Sequence, residues 1–334
     1  MIPNILFLGR LTREYILPME GAPILDRPGG SPLYAAGAAA LWQKKIGLVA
    51  RVGEDYPYAW LRQFASHGID TEGIQVIPGS LDLRAFRAYE PNRELSLANP
   101  VGHFARRQLT FPKALLGYRP PEKKEKVRAE RPPTSPLVNE IPQDYLEAPS
   151  AHISPLDFLS QGQLLTSLRA AGIRSISLDP EPEYMHPHRR QDLRLFLDGL
   201  TAFLPSEEEM RSLFWGETHD LWQMAEALGA FGCQYIVIKR GKEGQLLYDA
   251  AAKKRWILPA YNSRVADPTG AGDAFCGGFA AGFEQHQDPI KAAAYGNVSA
   301  SLSMEGSGPF YPLDVLPGLA NARLDAMLSM IREA

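Results

Sequence analysis

The chain has 334 residues, of which 45% are hydrophobic and 22% are charged, a composition typical of a soluble globular protein rather than a fibrous or disordered one. Its formal net charge of -3 gives no overall electrostatic reason to bind nucleic acid, and no apolar run approaches the length that spans a membrane. We therefore expect neither nucleic acid nor a membrane as a partner.

The N-terminal residues give no sign of secretion, the cysteines give no sign of a disulfide, and the histidines give no sign of a metal site. The opening "IPNILFLGR" lacks a basic leader and a small-residue cleavage site, so it predicts a first strand and a cytoplasmic protein. Cys233 and Cys276 lie far apart in apolar sequence, which favours packed thiols. His186 and His188 have no Cys or acidic ligand pattern nearby, which favours a polar loop over a metal site.

In chain order, short apolar runs alternate with longer segments of helical periodicity. The strand candidates are "ILFLG", "IGLVARVG", "AHISPLD", "SISLDP", "LTAFLP" and "QYIVIKRG". The helix candidates, which often end at Gly, are "PYAWLRQFASHG", "LSQGQLLTSLRAAG", "EEEMRSLFWG" and "DLWQMAEALGAFG". This alternation predicts an α/β fold with a mainly parallel central sheet and helices on its faces.

Three regions depart from this alternation. Residues 11–27 are rich in Pro and Gly, and residues 83–98 alternate as "LRAFRAYE" and "LSLA", the pattern of half-buried strands. Together they predict a small sheet over the main one. Residues 112–136 are charged and bracketed by proline, which predicts a solvated surface insertion within a single domain of residues 1–334.

The segment "VADPTGAGDAFCGGF" combines a glycine-rich turn with the start of a small-residue helix. Asp267-Pro268 predicts a stiff turn, and the glycines on either side of Ala271 allow backbone amides to point towards one place, where the helix dipole adds positive potential. We interpret this as an anion cradle with Asp273 at its edge. Gly277 and Gly278 inside the helix predict close packing against another element.

Three other interpretations of this cradle are less consistent with the sequence. A Walker-type loop requires Lys and Ser or Thr after the last glycine, where this chain has Asp273 and Ala274. A dinucleotide fingerprint requires a third glycine where Phe275 stands. An ordinary helix-start residue would explain Asp273 but not the whole string from Asp267 onwards.

The string "DPTGAGDAFCGGF" resembles the C-terminal signature of the ribokinase-like, or PfkB-type, carbohydrate kinases. The segments "GGSPLYAAGAAALWQKKIGLVARVGED", "FLPSEEEM" and "IVIKRGKEGQLLY" resemble other parts of the family in the expected order. The resemblance covers nearly the whole chain, and residues 112–136 are its clearest unmatched part. It implies a ribokinase-like three-layer α/β/α fold with a small β lid.

The resemblance also implies the chemistry: phosphorylation of a hydroxyl by ATP, with Mg²⁺ as cofactor and a monovalent cation left open. Asp273 would be the base, and the amides of Gly270, Ala271 and Gly272 would hold the transferring phosphoryl group. Beside a helix N-terminus, the ionised form of Asp273 should be favoured. The residues implied at the nucleotide are Lys239, Gly241, Gly244, Thr269 and Asn297.

The metal site and the acceptor site depart from the family pattern. Glu209 matches a glutamate that acts on the Mg²⁺–phosphate assembly through water, but Ser206 replaces the Asn of that motif. At the acceptor, Gly29-Gly30 should bring backbone close to the substrate, with Ser31-Pro32 as N-cap and first turn of the next helix. The family's Asn and early Asp are replaced by Tyr34 and Glu14, and Glu181 stands where Asn is common. We therefore predict an altered acceptor pocket.

Three functional hypotheses follow. The first is an ATP-dependent kinase for a sugar or a sugar-like polyol, and the second is a nucleoside kinase of the same fold, in which Tyr34 could stack on a base. The third is a catalytically silent sugar sensor. Because phosphoryl transfer must exclude water, the small sheet should close over the acceptor, and its exposed strand edges could pair to form a homodimer.

Overall fold

The computed structural model describes residues 1–90, 94–120 and 131–334. Within them, eleven strands form one large sheet and four form a small one. The strands of the large sheet are β1 (Ile5–Leu8), β4 (Ile46–Gly53), β5 (Ile69–Asp70), β6 (Ile74–Ile77), β9 (Ser150–Ile153), β10 (Ser175–Leu178), β11 (Ala202–Phe203), β12 (Tyr235–Lys239), β13 (Gln245–Asp249), β14 (Lys254–Leu258) and β15 (Arg332–Glu333). The small sheet contains β2 (Thr12–Leu17), β3 (Ile24–Gly29), β7 (Arg84–Tyr89) and β8 (Leu95–Ser96).

The large sheet is mainly parallel, as the alternation of strands and helices predicts. Its order is β15-β14-β13-β12-β11-β10-β9-β1-β4-β5, with β6 also pairing with β4. Every pair from β5 to β12 is parallel, whereas β13, β14 and β15 extend the sheet in antiparallel fashion. The carboxyl ends of the central strands therefore meet at one edge of the sheet.

Helices cover both faces of this sheet, which gives three layers. The helices are α1 (Ser31–Ala40), α2 (Tyr58–Ser66), α3 (Pro100–Arg106), α4 (Phe158–Ala170), α5 (Arg194–Leu197), α6 (Glu207–Leu213), α7 (Leu221–Gly229), α8 (Ala271–His286), α9 (Pro289–Met304) and α10 (Leu319–Met330). Helices α4 to α7 pack in one core, and α1, α2 and α8 to α10 pack in the cores on the other face. Strand β1 shows the alternation: Leu6 and Leu8 enter the first core, Ile5 and Phe7 the second.

The glycines of α8 allow the close packing that the sequence predicts. A Cβ on Gly277 would lie 1.9 Å from the Ala35 carbonyl oxygen of α1, and one on Gly278 would lie 2.3 Å from Ser299 Oγ of α9. Both approaches are too short for any larger residue. The start of α8 is therefore held in place by two neighbouring helices.

The small sheet predicted from residues 11–27 and 83–98 is present, although residues 91–93 lie outside the described part of the chain. Its order is β3-β2-β7-β8, with β2 and β7 parallel. Phe86 and Ala88 of β7 enter a small core with Tyr15 and Leu17 of β2, while the alternate residues of both strands face the other way.

Most described residues of the predicted insertion at 112–136 are exposed or half-buried, with buried exceptions towards each end, and its residues 121–130 lie outside the described part. Leu115 is buried in the core of the small sheet. On the other side, Ser135 is buried, and its hydroxyl donates to Asp157 at 2.9 Å. These two side chains anchor the ends of the segment, most of whose described residues are exposed or half-buried, and its role as a surface insertion stays a prediction.

The remaining structural predictions concern membranes and cysteines. In the described part of the chain, no helix combines the length and apolar character needed to cross a bilayer. Cys233 and Cys276 are free and buried, as predicted.

Candidate active site

Asp273 lies in the first turn of α8, where the glycine-rich segment meets the carboxyl edge of the sheet. Its side chain is half-buried. Burial raises the pKa of Asp273, and the positive charges of Lys239 and Arg87 lower it by less, so the net shift is upward. Ser31 provides a hydrogen-bonding interaction that also lowers this pKa. The sequence-based expectation of a favoured ionised form was wrong in direction, because burial outweighs the helix dipole and these partners.

The backbone around Asp273 forms a partial anion cradle. Gly270 is the N-cap of α8 with φ 76°, and Ala274 N donates to its carbonyl oxygen at 2.7 Å. In the described residues the amides of Gly270, Gly272 and Asp273 have no hydrogen-bond acceptor, whereas Ala271 N donates to the Pro268 carbonyl at 3.2 Å. The predicted contribution of Ala271 is thus absent from this conformation, because its amide closes a tight turn. Asp273 supplies an amide that the sequence analysis did not consider.

Lys239 brings a positive charge to this cradle. It ends β12, and its Nζ lies 3.8 Å from the position that a Cβ on Gly272 would take. Its Nζ also donates to Asp179 Oδ2 at 2.7 Å. Burial lowers the pKa of Lys239 more than any one neighbour raises it, but the charges of Asp179 and other nearby groups and the hydrogen bond to Asp179 together leave the pKa raised, so the ammonium remains charged.

The residues expected to contact the acceptor form a buried cluster instead of an open pocket wall. Glu14 is 0% exposed, and Tyr34, 2% exposed, donates its hydroxyl to Glu14 Oε2 at 2.7 Å. Arg27 Nη2 donates to the same carboxylate at 3.0 Å and to the Tyr34 hydroxyl at 2.8 Å. Arg87 Nη1 donates to Glu14 Oε1 at 3.1 Å. Each Glu14 oxygen therefore already has protein donors.

This cluster also corrects the expected roles of the glycines and of Tyr34. A Cβ on Gly29 would lie 2.2 Å from the Glu14 carboxyl carbon, and one on Gly270 would lie 2.2 Å from the Tyr34 ring. The glycines accommodate protein side chains, and the Tyr34 ring has no open face for a base. Ser31 is the first residue of α1, so Gly30 rather than Ser31 is its N-cap.

Two further contacts join the small sheet to the segment before α8. The Tyr89 hydroxyl of β7 and Thr269 Oγ1 lie 2.8 Å apart and share a hydrogen bond. On β3, Arg27 Nη1 donates to Ser307 Oγ at 2.6 Å, and Ser307 in turn donates to Asp267. Thr269 therefore uses its hydroxyl to hold the small sheet rather than to face a ligand.

The other predicted nucleotide residues lie around the turn after β12. Gly241 is exposed, while Gly244 is buried, and a Cβ there would lie 1.9 Å from the Leu258 carbonyl oxygen. Asn297 is 3% exposed and donates to Gln245 Oε1 at 2.7 Å and to the Pro259 carbonyl at 2.8 Å. Its own Oδ1 accepts from Tyr261 N at 3.0 Å. Asn297 thus holds the loop after β14 instead of presenting a free amide.

Replacing Asn297 with Ala should destabilise this loop strongly. The change leaves the buried Gln245 side chain and the half-buried Pro259 carbonyl and Tyr261 amide without these hydrogen bonds, at a cost of about 1–3 kcal/mol in the free energy of unfolding. Urea denaturation measures this loss. The control is Asn262→Ala on the same loop, where the side chain is exposed and little change is expected. Equal stabilities for the two variants would contradict the assigned role.

Glu209 occupies the start of α6, where it forms a capping box with Ser206. Ser206 N donates to Glu209 Oε2 at 2.7 Å, and Glu209 N donates to Ser206 Oγ at 3.2 Å. One carboxylate oxygen is therefore engaged, and the serine that replaces the family's Asn has a clear structural role. The Glu209 charge still reaches the site, since it raises the pKa of both Asp179 and Lys239.

Ser31 was predicted only as a helix cap, and four site residues were not predicted from the sequence: Arg10, Arg27, Arg87 and Asp179. The last two carried usable signals. Asp179 lies near the end of the predicted strand "SISLDP", and such positions meet at one edge of a parallel sheet. Arg87 lies two residues before Tyr89 in an alternating strand, which puts both on the same face. Arg10 pairs with Glu181 at 2.6 Å, and nothing local in the sequence indicates that pairing.

Comparisons with known proteins find similar kinases. Residues 160–315 match the family model described as pfkB family carbohydrate kinase. The chain is 28% identical to a cytidine kinase of Thermococcus kodakarensis, over 84% of this chain and 89% of that protein. It is also 24% identical to a ribokinase of Bacillus subtilis, over 90% of this chain and 92% of that one.

Solved structures share the fold over nearly the whole chain. An E. coli protein named ribokinase II, solved with ATP and Mg²⁺, gives a TM-score of 0.71 at 20% identity, covering 97% of this chain and 99% of that one. A Burkholderia thailandensis nucleoside kinase, solved with inosine, gives 0.67 at 18% identity and 96% coverage of both chains. Residues 160–315 therefore match the pfkB family of carbohydrate kinases, the chain as a whole has a ribokinase-like fold, and its named relatives are kinases, which supports a phosphotransferase with an alcohol group as acceptor.

Proposed function

We propose that this protein is an ATP-dependent kinase that transfers the γ-phosphoryl group to a hydroxyl of a sugar or a sugar-like polyol. The observation that carries this proposal is the half-buried carboxyl of Asp273, set beside unpaired amides in the first turn of α8 and facing the charge of Lys239. Phosphoryl transfer depends mainly on positioning and on charge stabilisation, and this site offers both.

The cradle would hold the transferring phosphoryl group. The amides of Gly270, Gly272 and Asp273 are available as donors, the helix dipole adds positive potential, and Lys239 supplies a full charge beside Gly272. If the Ala271 amide exchanged its hydrogen bond to the Pro268 carbonyl for one to a phosphate oxygen, it would become a fourth donor. The turn of Gly241 and Gly244 and the loop held by Asn297 would border the rest of ATP.

Asp273 would take the proton from the attacking hydroxyl. A base is most effective when its pKa lies near the working pH, and burial raises the pKa of Asp273 in that direction. A hydrogen bond from Ser31 constrains the carboxyl, and the charge of Arg87 acts on it, so that it can orient the acceptor as well as accept its proton.

The pH dependence of kcat/KM should report this shift. Because the pKa of Asp273 is raised, its carboxyl becomes protonated at a higher pH than an ordinary aspartate, and the acid limb of the profile should move upward accordingly. Asp273→Glu provides the comparison, because the longer side chain changes burial while keeping a base. An acid limb in the range of an exposed carboxylate would contradict a buried Asp273 as base.

The residues present fit a Mg²⁺ ion that arrives with the nucleotide. In the described part of the chain no three His, Cys, Asp or Glu side chains cluster closely enough to hold a bare ion. Glu209 engages only one oxygen with Ser206, so its other oxygen could accept from metal-bound water. The ion would neutralise charge that develops on the phosphate oxygens.

The second candidate is a nucleoside kinase. The match to the cytidine kinase, which extends over most of both chains, favours it. Stacking of a base on Tyr34 no longer supports it, because that ring is 2% exposed and packs against Gly270. A base would need another surface of the acceptor space.

An acceptor screen distinguishes these functions. ADP formation is measured with ATP and Mg²⁺ against panels of sugars, cyclitols and nucleosides, in potassium and in tetramethylammonium salts, which also reveals any need for a monovalent cation. Acceptor-dependent ADP formation with sugars or polyols supports the proposal, and turnover of nucleosides alone supports the second candidate. Thermal stabilisation by a sugar without any turnover would instead indicate a silent sensor.

We also propose that the small sheet acts as a lid on the single domain. Its contacts at Tyr89–Thr269 and Arg27–Ser307 reach the segment that leads into the cradle, so closure would exclude water from the reaction. Acceptor binding should then slow hydrogen exchange in residues 12–29 and 84–89. Unchanged exchange at saturating acceptor would contradict the lid.

The exposed edges of the same sheet suggest a homodimer. Strands β3 and β8 each have one unpaired edge, and such edges can pair between subunits. Light scattering should give the mass of two chains at micromolar concentration. A mass of one chain at every concentration would contradict this part of the proposal.

A further inference from the structure

The pairing of Asp179 with Lys239 is a feature of the site that the proposed chemistry does not by itself require. Asp179 directly follows β10 and Lys239 ends β12, so the pair crosses above the intervening strand β11. The two charged atoms lie 2.7 Å apart, with Asp179 4% exposed and the Lys239 side chain 14% exposed. The pair is therefore almost completely removed from solvent.

This pair is poorly arranged for stability. Asp179 Oδ1 has no hydrogen-bond partner in the described residues. The nearest other polar group is Cys276 Sγ, a weak donor 3.6 Å from Asp179 Oδ2 and from Lys239 Nζ. Burying an ion pair while leaving one oxygen unsatisfied generally costs more than filling the same space with apolar side chains. A contribution to folding therefore does not explain the pair.

The direction of the ammonium suggests another role. Lys239 Nζ lies beside Gly272, on the side of the cradle next to Asp273. An ammonium has three donors, and the contact with Asp179 Oδ2 engages only one of them. A lysine side chain has about 2 kcal/mol of rotamer entropy to lose, so an anchor that holds it beforehand favours productive contacts with phosphate.

We propose that Asp179 is a positioning residue that holds the Lys239 ammonium against the transferring γ-phosphoryl group. This inference rests on the proposed kinase function, since it assumes that the cradle binds the γ-phosphate. Asp179 itself touches neither phosphate nor acceptor. Its negative charge also offsets that of Lys239, so the pair should assist the reacting phosphoryl group more than it increases the affinity for ATP.

The first test measures the binding of ATP and ADP with Mg²⁺ by calorimetry and needs no acceptor. Lys239→Met should weaken ATP about 10- to 100-fold more than ADP, because only ATP carries the γ-phosphate that the ammonium would contact. Lys242→Met, an exposed lysine on the same turn, is the matched control and should leave the ratio of the two affinities unchanged. An unchanged ratio in Lys239→Met would overturn the inference.

The second test separates positioning from structure. Asp179→Asn should leave the KM for ATP unchanged or lower, because a negative charge near phosphate is removed, while kcat falls by about 10- to 100-fold. In the Lys239→Met background the same change should have no further effect on kcat, since the ammonium it positions is absent. Parallel losses in affinity and kcat, or additive effects in the double variant, would show a structural role instead.

Folding is controlled by the double variant Asp179→Asn/Lys239→Met. Asp179→Asn alone leaves a buried ammonium without its counter-ion, whereas the double variant removes both charges and should melt at or above the temperature of the native chain. If Asp179→Asn does not fold, the double variant should still show the ATP-to-ADP affinity ratio of Lys239→Met, and any other ratio would overturn the inference. Failure of the native protein to bind ATP would instead refute the proposed function.

Discussion

Replacing Asp273 with Asn is expected to lower kcat by about 10²–10⁴-fold while the affinity for ATP changes little. Asn keeps the size of the side chain but cannot take a proton from the acceptor hydroxyl. The donors to the phosphoryl group are the main-chain amides of Gly270, Gly272 and Asp273, which this substitution leaves in place. Because one negative charge beside the phosphate site is lost, the affinity for ATP should stay the same or increase slightly.

The stability of Asp273→Asn provides an internal check on this result. Burial raises the pKa of Asp273, so its ionised form is less favourable in the folded chain than in the unfolded chain at neutral pH. The variant should therefore melt at the same temperature as the native protein or higher. A fall in kcat combined with a fall in melting temperature would indicate a structural role.

A matched control for this change lies at the next helix. Asp288 is the N-cap of α9, where its Oδ1 accepts from Ile290 N and Lys291 N. Asn is an equally good N-cap, so Asp288→Asn should keep both stability and kcat. Near-normal turnover of a verified acceptor by Asp273→Asn would make Asp273 a helix-start residue of the same kind, and the assignment of the base would be wrong.

Replacing Gly270 with Ala is expected to cause the largest loss of stability. Its φ of 76° lies in the left-handed region, which costs a residue with a Cβ about 1–2 kcal/mol. The added Cβ would also lie 2.2 Å from the Tyr34 ring, which Glu14 and Arg27 hold in place. With overpacking of about 1–3 kcal/mol, the free energy of unfolding should fall by about 2–5 kcal/mol.

Gly272→Ala in the same turn is the control for Gly270→Ala. A Cβ on Gly272 would approach only Lys239 Nζ, at an ordinary contact distance of 3.8 Å, so this change should fold normally. Urea denaturation of both variants gives the two free energies. In Gly270→Ala the first turn of α8 must also shift, so ATP affinity should fall together with stability. Similar stabilities for the two variants would show that Tyr34 can move away from Gly270.

The fold and the glycine-rich turn before α8 follow from local sequence patterns. The alternation of apolar runs and helical segments was sufficient to predict the parallel strands and the helices that cover them. Each type of element buries residues at its own spacing along the sequence, and the apolar pattern records that spacing. The string from Asp267 to Asp273 is also local, since a proline turn, two glycines and a helix start are consecutive. Such features need no knowledge of distant residues, and the structure contains the fold and the turn that they predict.

The buried cluster around the Glu14 carboxylate could not be predicted in this way. Glu14 and Tyr34 each looked like open substrate contacts, but Arg27 and Arg87 reach the same carboxylate from two other strands of the small sheet. Only the pairing of β2 with β3 and β7 brings these side chains together. The Asp179–Lys239 pair is similar, because its members are joined across β11 and no local pattern records that contact.

The protonation of Asp273 shows how distance in the sequence limits such predictions. The helix dipole is a local property and favours the ionised form, whereas burial depends on α1, β12 and the small sheet closing around the same carboxyl. Here the non-local contribution is larger, and the pKa is raised. A carboxyl whose pKa is raised by burial is well suited to act as a base, so this correction strengthens the proposed role.

The most direct measurement follows the γ-phosphorus of ATP itself. The protein is incubated with Mg²⁺, ATP labelled at the γ-phosphorus and an acceptor from the screen, and the products are separated. The proposed function predicts that the label appears in a phosphate ester of the acceptor, in amounts equal to the ADP formed, and that Asp273→Asn abolishes nearly all of it. Label recovered only as inorganic phosphate, at a rate independent of every acceptor and of Asp273, would contradict a kinase.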